Sequence, residues 1–492
     1  MSHRGRWISA GLIALAIVAR ASAVLLLQSH TIERSTYEHG EIAANLLAGK
    51  GFSVKFLGAD GPTSQQAPLY PFVVAGAYAL GGVGTPRSLL ILELGQAALG
   101  GVLVAMVMAM SRVAMPERPR AAWLAGGLVA IHPTLVYAAT HVQVASIAVV
   151  LLAAAFWAAY RTGAFGLRRD AILAGFLLGL TALTDPILAL SAPGIAWVIS
   201  RVALVACPPV RQESGRPFVP SLLVPRTGGQ ATSATRIGLI ALVGATAALT
   251  VSPWIVRNYR VHGELVWIKS SFGYAFWQGN CALSEGTDKV VRASVERRLA
   301  ASGSGWKDWN RSLWAARHDA GYLDDIALTA DDYRELSALR EPERSRRLAG
   351  RALDDLAAEP GRYAQLCLRR LRYFVLWDDT NPKARSLIYR ASHLGLTILA
   401  LAGWLAMGAA GRKKWAPTAL TAALIALFHT LTIVSARFHL PIEPFLALWA
   451  AGGLARLGEI SLPAGRCDAK GGQLSLRLPR VSLAIESSSD RI

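Results

Sequence analysis

Charge is scarce in this chain. Only 17% of its 492 residues are Asp, Glu, Lys or Arg, against about 25% in soluble domains, which excludes an ordinary water-soluble enzyme. Cysteine is scarcer still. Cys207, Cys281, Cys367 and Cys467 form no CxxC pair and carry no metal-ligand spacing, so no zinc finger or redox motif is written into the chain. Cys281 and Cys367 fall in a region expected to be external, where a disulfide between them is an option. No repeat period is visible. The apolar runs do not alternate polar with apolar residues, which excludes a membrane β-barrel.

Apolar sequence is what the chain has in excess: 53% of residues are hydrophobic and the mean hydropathy is +0.36. Runs of about twenty apolar residues recur, each long enough to cross roughly 30 Å of hydrocarbon. They lie at 7–27, 87–110, 121–140, 142–160, 171–200, 237–254, 386–407, 415–434 and 442–454. The 171–200 run is too long for one crossing and contains Asp185-Pro186, so it reads as two short helices meeting near the proline. The total is about ten crossings at the usual span length. Ala21-Ser22-Ala23 mimics a signal-peptidase site, but Arg20 interrupts the apolar run ahead of it, and the expectation is an uncleaved first helix.

The net charge of +19 does not point to nucleic acid. Much of the excess lies in short connections: Arg112, Arg118 and Arg120; Arg161, Arg168 and Arg169; Arg201, Arg211, Arg216, Arg226 and Arg236; Arg412, Lys413 and Lys414. With ten crossings these all share the side of the N-terminus, which the positive-inside rule makes cytoplasmic. Both termini are then cytoplasmic, while the stretch 28–86 and the long polar segment 257–382 are external. The organisation expected is an N-terminal transmembrane module (1–256), an external region with amphipathic helices (257–385), C-terminal spans (386–457) and a disordered tail (458–492). Residues 206–235 read as a disordered cytoplasmic loop. In the external region Thr329-Ala330-Asp331-Asp332 resembles a capping box opening a helix toward Ala358. A second helix, from Arg362 to Trp377, is expected at the bilayer surface.

Four external clusters carry the chemistry-bearing residues. In the first, Tyr37 to Leu47 has helical periodicity, and Glu38, Glu41 and Asn45 share one face of that helix. Gly49 and Gly51 stop it, and the chain returns through Gln65-Gln66-Ala67-Pro68-Leu69-Tyr70. The second is 252–280, with Trp254, Arg257, Asn258, Tyr259, Trp267, Trp277, Gln278 and Asn280. The third is the 369–379 junction with Arg372. The fourth is Ala-Arg-Phe-His-Leu-Pro-Ile-Glu-Pro, 436–444, with Arg437, His439 and Glu443, ionisable groups that a membrane protein seldom places without a role.

The pattern YEHGEIAANLLAGKGFS…APLYP, then PWIVRNYRVHGELVWIKSSFGYAFWQGN, then RFHLPIEP resembles the membrane glycosyltransferases of the GT-C class. The likeness is to the bacterial branch related to protein O-mannosyltransferases and the aminoarabinose transferase of lipid A, and it runs from about residue 7 to 457. It implies an all-α polytopic membrane protein with external juxtamembrane helices, in a bacterial inner membrane. It also implies a polyprenyl-phosphate sugar donor and inverting transfer, on the external face, to a lipid, glycan or protein acceptor. Glu38 or Glu41 would be the base. Arg257, Arg372, Arg437 and His439 would meet the phosphate. Gln66, Tyr70, Asn258, Trp277 and Asn280 would meet the rest of the substrate. The chain departs from the pattern in three places. It offers glutamates where relatives carry an Asp, and Gln66 where they carry a Lys. It also has His141 and Gln143 at a turn where many carry a second acid. A divalent metal between acidic loops is therefore doubtful, and a core or capping role is expected for His132 and His141. A transporter or flippase of lipid-linked sugars, and a non-catalytic scaffold of the same fold, are the alternatives.

Overall fold

The computed structural model describes residues 3–31, 36–201, 233–288, 328–381, 384 and 386–461. The expected cytoplasmic loop and tail lie almost wholly outside them, as do Cys207 and Cys467. Helices dominate. In chain order they are α1 (His3–Leu27), α2 (Tyr37–Leu47), α3 (Leu69–Gly81), α4 (Pro86–Ala114), α5 (Pro119–Ile131), α6 (Pro133–Ala138), α7 (Ala145–Phe165), α8 (Arg168–Ala182), α9 (Ala192–Arg201) and α10 (Ser233–His262). The stretch that follows contributes α11 (Phe272–Asn280), α12 (Ala330–Ser337), α13 (Glu341–Ala358) and α14 (Pro360–Val375). Then come α15 (Leu387–Ala406), α16 (Gly408–Leu431) and α17 (Glu443–Ser461). A single hairpin of β1 (Ser53–Phe56) and β2 (Ala59–Pro62) is antiparallel, with Ser53 opposite Pro62.

Four of the described helices are long and apolar enough to cross a membrane: those over 3–31, 86–114, 145–165 and 235–262. This is a multipass membrane protein. The other apolar runs form shorter or more polar helices. The run at 121–140 breaks at His132-Pro133 into α5 and α6, since proline removes a backbone donor. The 171–200 run divides as its proline demands: α8 ends at Ala182, a 3-10 turn spans Pro186–Ser191, and α9 follows.

The bundle buries its helices on one another: α1 packs on α4 and α5, α4 on α7, α7 on α8, α8 on α10, and α17 on α5 and α15. Arg20 is enclosed inside it and donates to the carbonyls of Ala16, Val129 and Ala130 at 2.9 to 3.1 Å. The α15–α17 crossing is close. A Cβ added at Gly453 would lie 2.3 Å from the Gly403 Cα, and one at Gly403 would lie 2.4 Å from the Trp449 carbonyl. Such close backbone approach is how small residues lock membrane helices, where no hydrophobic drive separates helix from lipid.

The helices between α10 and α15 correct two sequence expectations. The Thr329–Asp332 capping box is present, but its helix stops at Ser337; a new helix starts at Glu341, with Pro342 in its first turn. Pro360 opens α14 at its first position, where a missing N–H costs nothing. Cys281 and Cys367 are free thiols, and Cys281 is buried in the apolar cluster of Trp277, Leu336, Leu348 and Ala352.

Candidate functional site

The stretch after α1 folds as its spacing predicts: α2 spans Tyr37–Leu47. It rests on α3 closely enough that a Cβ on Gly40 would meet the Tyr78 hydroxyl at 2.9 Å. The two glutamates then part company. Glu38 turns inward and accepts from Gln66 Nε2 at 3.2 Å. Glu41 is exposed and accepts from the Lys55 backbone N–H at 2.7 Å, so it fastens α2 to the hairpin. Between them, His39 is buried and packs edge-on against Tyr70 at 5.0 Å. Burial, with Lys269 and Arg437 adding to it, lowers the His39 pKa to about 3, so its ring is neutral.

The return loop 63–69 is stitched into place from three sides. The Leu69 N–H donates to Leu183 O at 3.1 Å, and the Ser270 N–H donates to Ser64 O at 2.9 Å. Glu341, at the head of α13, accepts from the Thr63 and Ser270 hydroxyls, both at 2.6 Å, and from the Ser64 N–H at 2.7 Å. These bonds tie the loop that carries Gln66 to Leu183, two residues before Asp185, and to Ser270, next to Lys269. Lys269 feels the carboxylates of Asp185 and Glu38 and the charge of Arg437. Its ammonium is drawn below the usual lysine range chiefly by burial, aided by Arg437 and opposed by the two carboxylates. Arg437 is exposed, its guanidinium 5.5 Å from the Phe438 ring. Glu38, Asp185 and Arg437 thus lie within electrostatic reach of Lys269, and Gln66 holds Glu38.

Sequence reading passed over Lys269 and took Asp185 only as a helix break. The signal available was a lysine flanked by Ile268 and Ser270 in an aromatic run, a setting in which a charge is placed for a partner.

Other expected site residues are committed to the protein itself. Arg257 donates to Thr63 O, Ser64 Oγ, Asn258 Oδ1 and Phe52 O, and stacks 4.8 Å from the Trp254 ring. Asn258 is fully buried and donates to Val266 O and Ile268 O. Asn280 is also fully buried: its amide donates to Phe276 O and Thr432 O, and its Oδ1 accepts from the enclosed Arg370 at 2.6 Å. Trp277 sits in the α11–α13 core. Gln278 is buried and donates to Asp288 O. Tyr70 is buried and donates to Gln96. Arg372 pairs with Asp379 at 2.6 Å. His439 is buried against Tyr389, Nε2 to hydroxyl 2.7 Å. His132 contacts Thr134 at 2.7 Å, and His141 contacts Thr140 at 3.0 Å.

No family model matches the chain, and no curated protein matches it by sequence. Among solved structures, the oligosaccharyltransferase of Archaeoglobus fulgidus is similar over 94% of this chain and 52% of its own, at 15% identity and a TM-score of 0.50. The chain thus spans about half of that protein's length. ArnT from Cupriavidus metallidurans, solved with undecaprenyl phosphate bound, is similar over 92% of this chain and 78% of its own, at 14% identity and a TM-score of 0.38. Its apo form is similar at 14% identity and a TM-score of 0.36, over 93% and 78% of the two chains. The chain is a helical membrane bundle with a helical region between α10 and α15 and has a GT-C-like fold.

Proposed function

We propose that the chain transfers a sugar from a polyprenyl-phosphate donor to an acceptor on the external face of a bacterial inner membrane, with inversion at the anomeric carbon. The observation that carries this reading is that Lys269 of a GT-C-like bundle lies within electrostatic reach of Glu38, Asp185 and Arg437, with Gln66 bonded to Glu38. The helix order supports the external assignment. Starting from a cytoplasmic N-terminus and counting ten crossings, the segments that hold Glu38, Asp185, Lys269 and Arg437 all emerge on the same, opposite side, as the loop arginines require.

Glu38 is the base. It accepts the proton of the acceptor hydroxyl or amine as that atom bonds the anomeric carbon and the carbon–oxygen bond to phosphate breaks. A phosphate leaves as an anion and needs no proton, so one base suffices. Lys269 and Arg437 meet the growing charge on the departing phosphate. Asp185 favours the charged form of Lys269. Gln66 holds the Glu38 carboxylate. Arg257, assigned to the phosphate on sequence, instead secures the loop that carries Gln66.

The test incubates purified protein with a panel of labelled undecaprenyl-phosphate sugars and follows release of undecaprenyl phosphate. Release with one donor, lost in Glu38→Gln and reduced in Lys269→Met, is expected. Release unaffected by both substitutions overturns the assignment; no release and no binding of undecaprenyl phosphate overturns the function.

A further inference from the structure

Next to the Arg437 turn, a second group of ionisable side chains is wholly enclosed. His439 precedes α17 and Glu443 opens it, so one helical turn brings them to the same face. His393 reaches them from α15 and His132 from the α5–α6 break. All four are buried, Glu443 completely. The Gly403–Gly453 crossing fixes how α15 lies on α17, and with it how His393 meets the other two. The His393 and His439 rings are 4.3 Å apart. One ligand atom each from His393, His439 and Glu443 falls within 4.8 Å of the others.

The hydrogen bonds leave the inner side of this cluster unsatisfied. His393 Nε2 lies 3.0 Å from the Val375 carbonyl, which can only accept, so Nε2 carries the proton and Nδ1 keeps its lone pair. That Nδ1 is buried and has no hydrogen-bond partner among the described residues. His439 Nε2 is 2.7 Å from the Tyr389 hydroxyl. Its Nδ1 stands 3.1 Å from Glu443 Oε1, yet in a geometry that makes no hydrogen bond. A buried imidazole nitrogen and a carboxylate oxygen that close imply positive charge beside them, carried by a proton or by a metal ion; His132 stands 3.4 Å from the other Glu443 oxygen. The edge of a tetrahedral zinc site with ~2.0–2.1 Å bonds is ~3.3 Å. Thr134 donates to both Glu443 oxygens at 2.7 Å, and the Val375 carbonyl fixes the His393 tautomer. Such outer partners are the usual support of metal ligands.

We propose that His393, His439 and Glu443 bind one divalent transition-metal ion, zinc by ligand chemistry: two imidazoles and a carboxylate suit it, whereas magnesium and calcium take oxygen. The ion ties α15 to the turn of Arg437, two residues before His439, and acts structurally. This inference does not depend on the transfer reaction.

The test uses the full chain, purified in detergent through a tag that binds no metal. Elemental analysis should find about one zinc per chain. Dipicolinate should lower the melting temperature, and zinc, but not magnesium, should restore it. His393→Gln should cut the zinc content at least fivefold while Tyr389→Phe keeps it. Should the substitution prevent folding, the chelation arm on the native chain still decides. Absence of stoichiometric zinc after reconstitution with zinc sulfate, or a melting temperature indifferent to the chelator, shows a proton-bridged network only and overturns the proposal. So does full zinc content in His393→Gln.

Discussion

Replacing Arg257 by Met separates two roles that the sequence leaves superposed. If the guanidinium serves a lipid phosphate, its loss weakens donor binding and spares the fold. The structure assigns it otherwise: four oxygens, from Phe52, Thr63, Ser64 and Asn258, accept from it, and two rings flank it at 4.8 and 5.4 Å. A hydrogen bond to a charged group is worth about 1.5–3 kcal/mol. Half-burial roughly halves that here, and the four bonds share one group, so they add only in part. Stacking contributes about 0.5–1 kcal/mol. The sum expected for Arg257→Met is a loss of about 3–5 kcal/mol, read as a clear drop in melting temperature in detergent. Arg257→Lys separates the cases further. A lysine preserves point charge for a phosphate but cannot span four acceptors in a fork. The structural role therefore predicts that Lys fails to restore stability. An unchanged melting temperature in Arg257→Met, together with tenfold weaker binding of undecaprenyl phosphate that Lys restores, would refute the reasoning.

Three further outcomes follow from the same geometry. Glu38→Gln should lower transfer by about 10²–10⁴-fold without altering the melting temperature, whereas Glu41→Gln should cost about 1 kcal/mol of stability and keep transfer; equal activity losses in both would contradict the inward and outward placements. His39 is buried neutral, with its pKa lowered from 6.5 to about 3. Between those values the unfolded chain binds the extra proton, so stability falls with pH by about 2 kcal/mol from pH 7 to pH 5, and His39→Gln should flatten that part of a melting-temperature profile. Finally, Cys281 and Cys367 should both label with maleimide after denaturation without reductant; protection of the pair would mean that they are joined.

The sequence made legible those features that depend on near neighbours. The α2 boundaries follow from the spacing of Ile42, Ala43 and Leu46, the α8–α9 break from Pro186, and the α12 start from Thr329 and Asp332. What eluded it depends on distant partners. An arginine next to Trp254 looks the same whether its acceptors are carbonyls or a phosphate, and only the folded loop decides. Asn280 looked open because nothing nearby in the chain announces Arg370, 90 residues on. Lys269 was invisible as a site residue for the same reason, since its carboxylates come from α2 and from the α8–α9 turn. The grouping of His393, His439 and Glu443 needs the two glycines of a helix crossing, a contact that no periodicity encodes.

The carboxylate of Glu341 has a consequence for biogenesis. It clasps Thr63 from 278 residues away in the chain, so the loop bearing Gln66 can be secured only after α13 has been synthesised and delivered to the same side. Contacts of that sequence separation close late. A nascent or truncated chain ending before α13 would thus carry every acid and cation of the first loop without the clasp that aligns them, and the growing polypeptide stays inert toward its substrates until its own assembly is nearly complete.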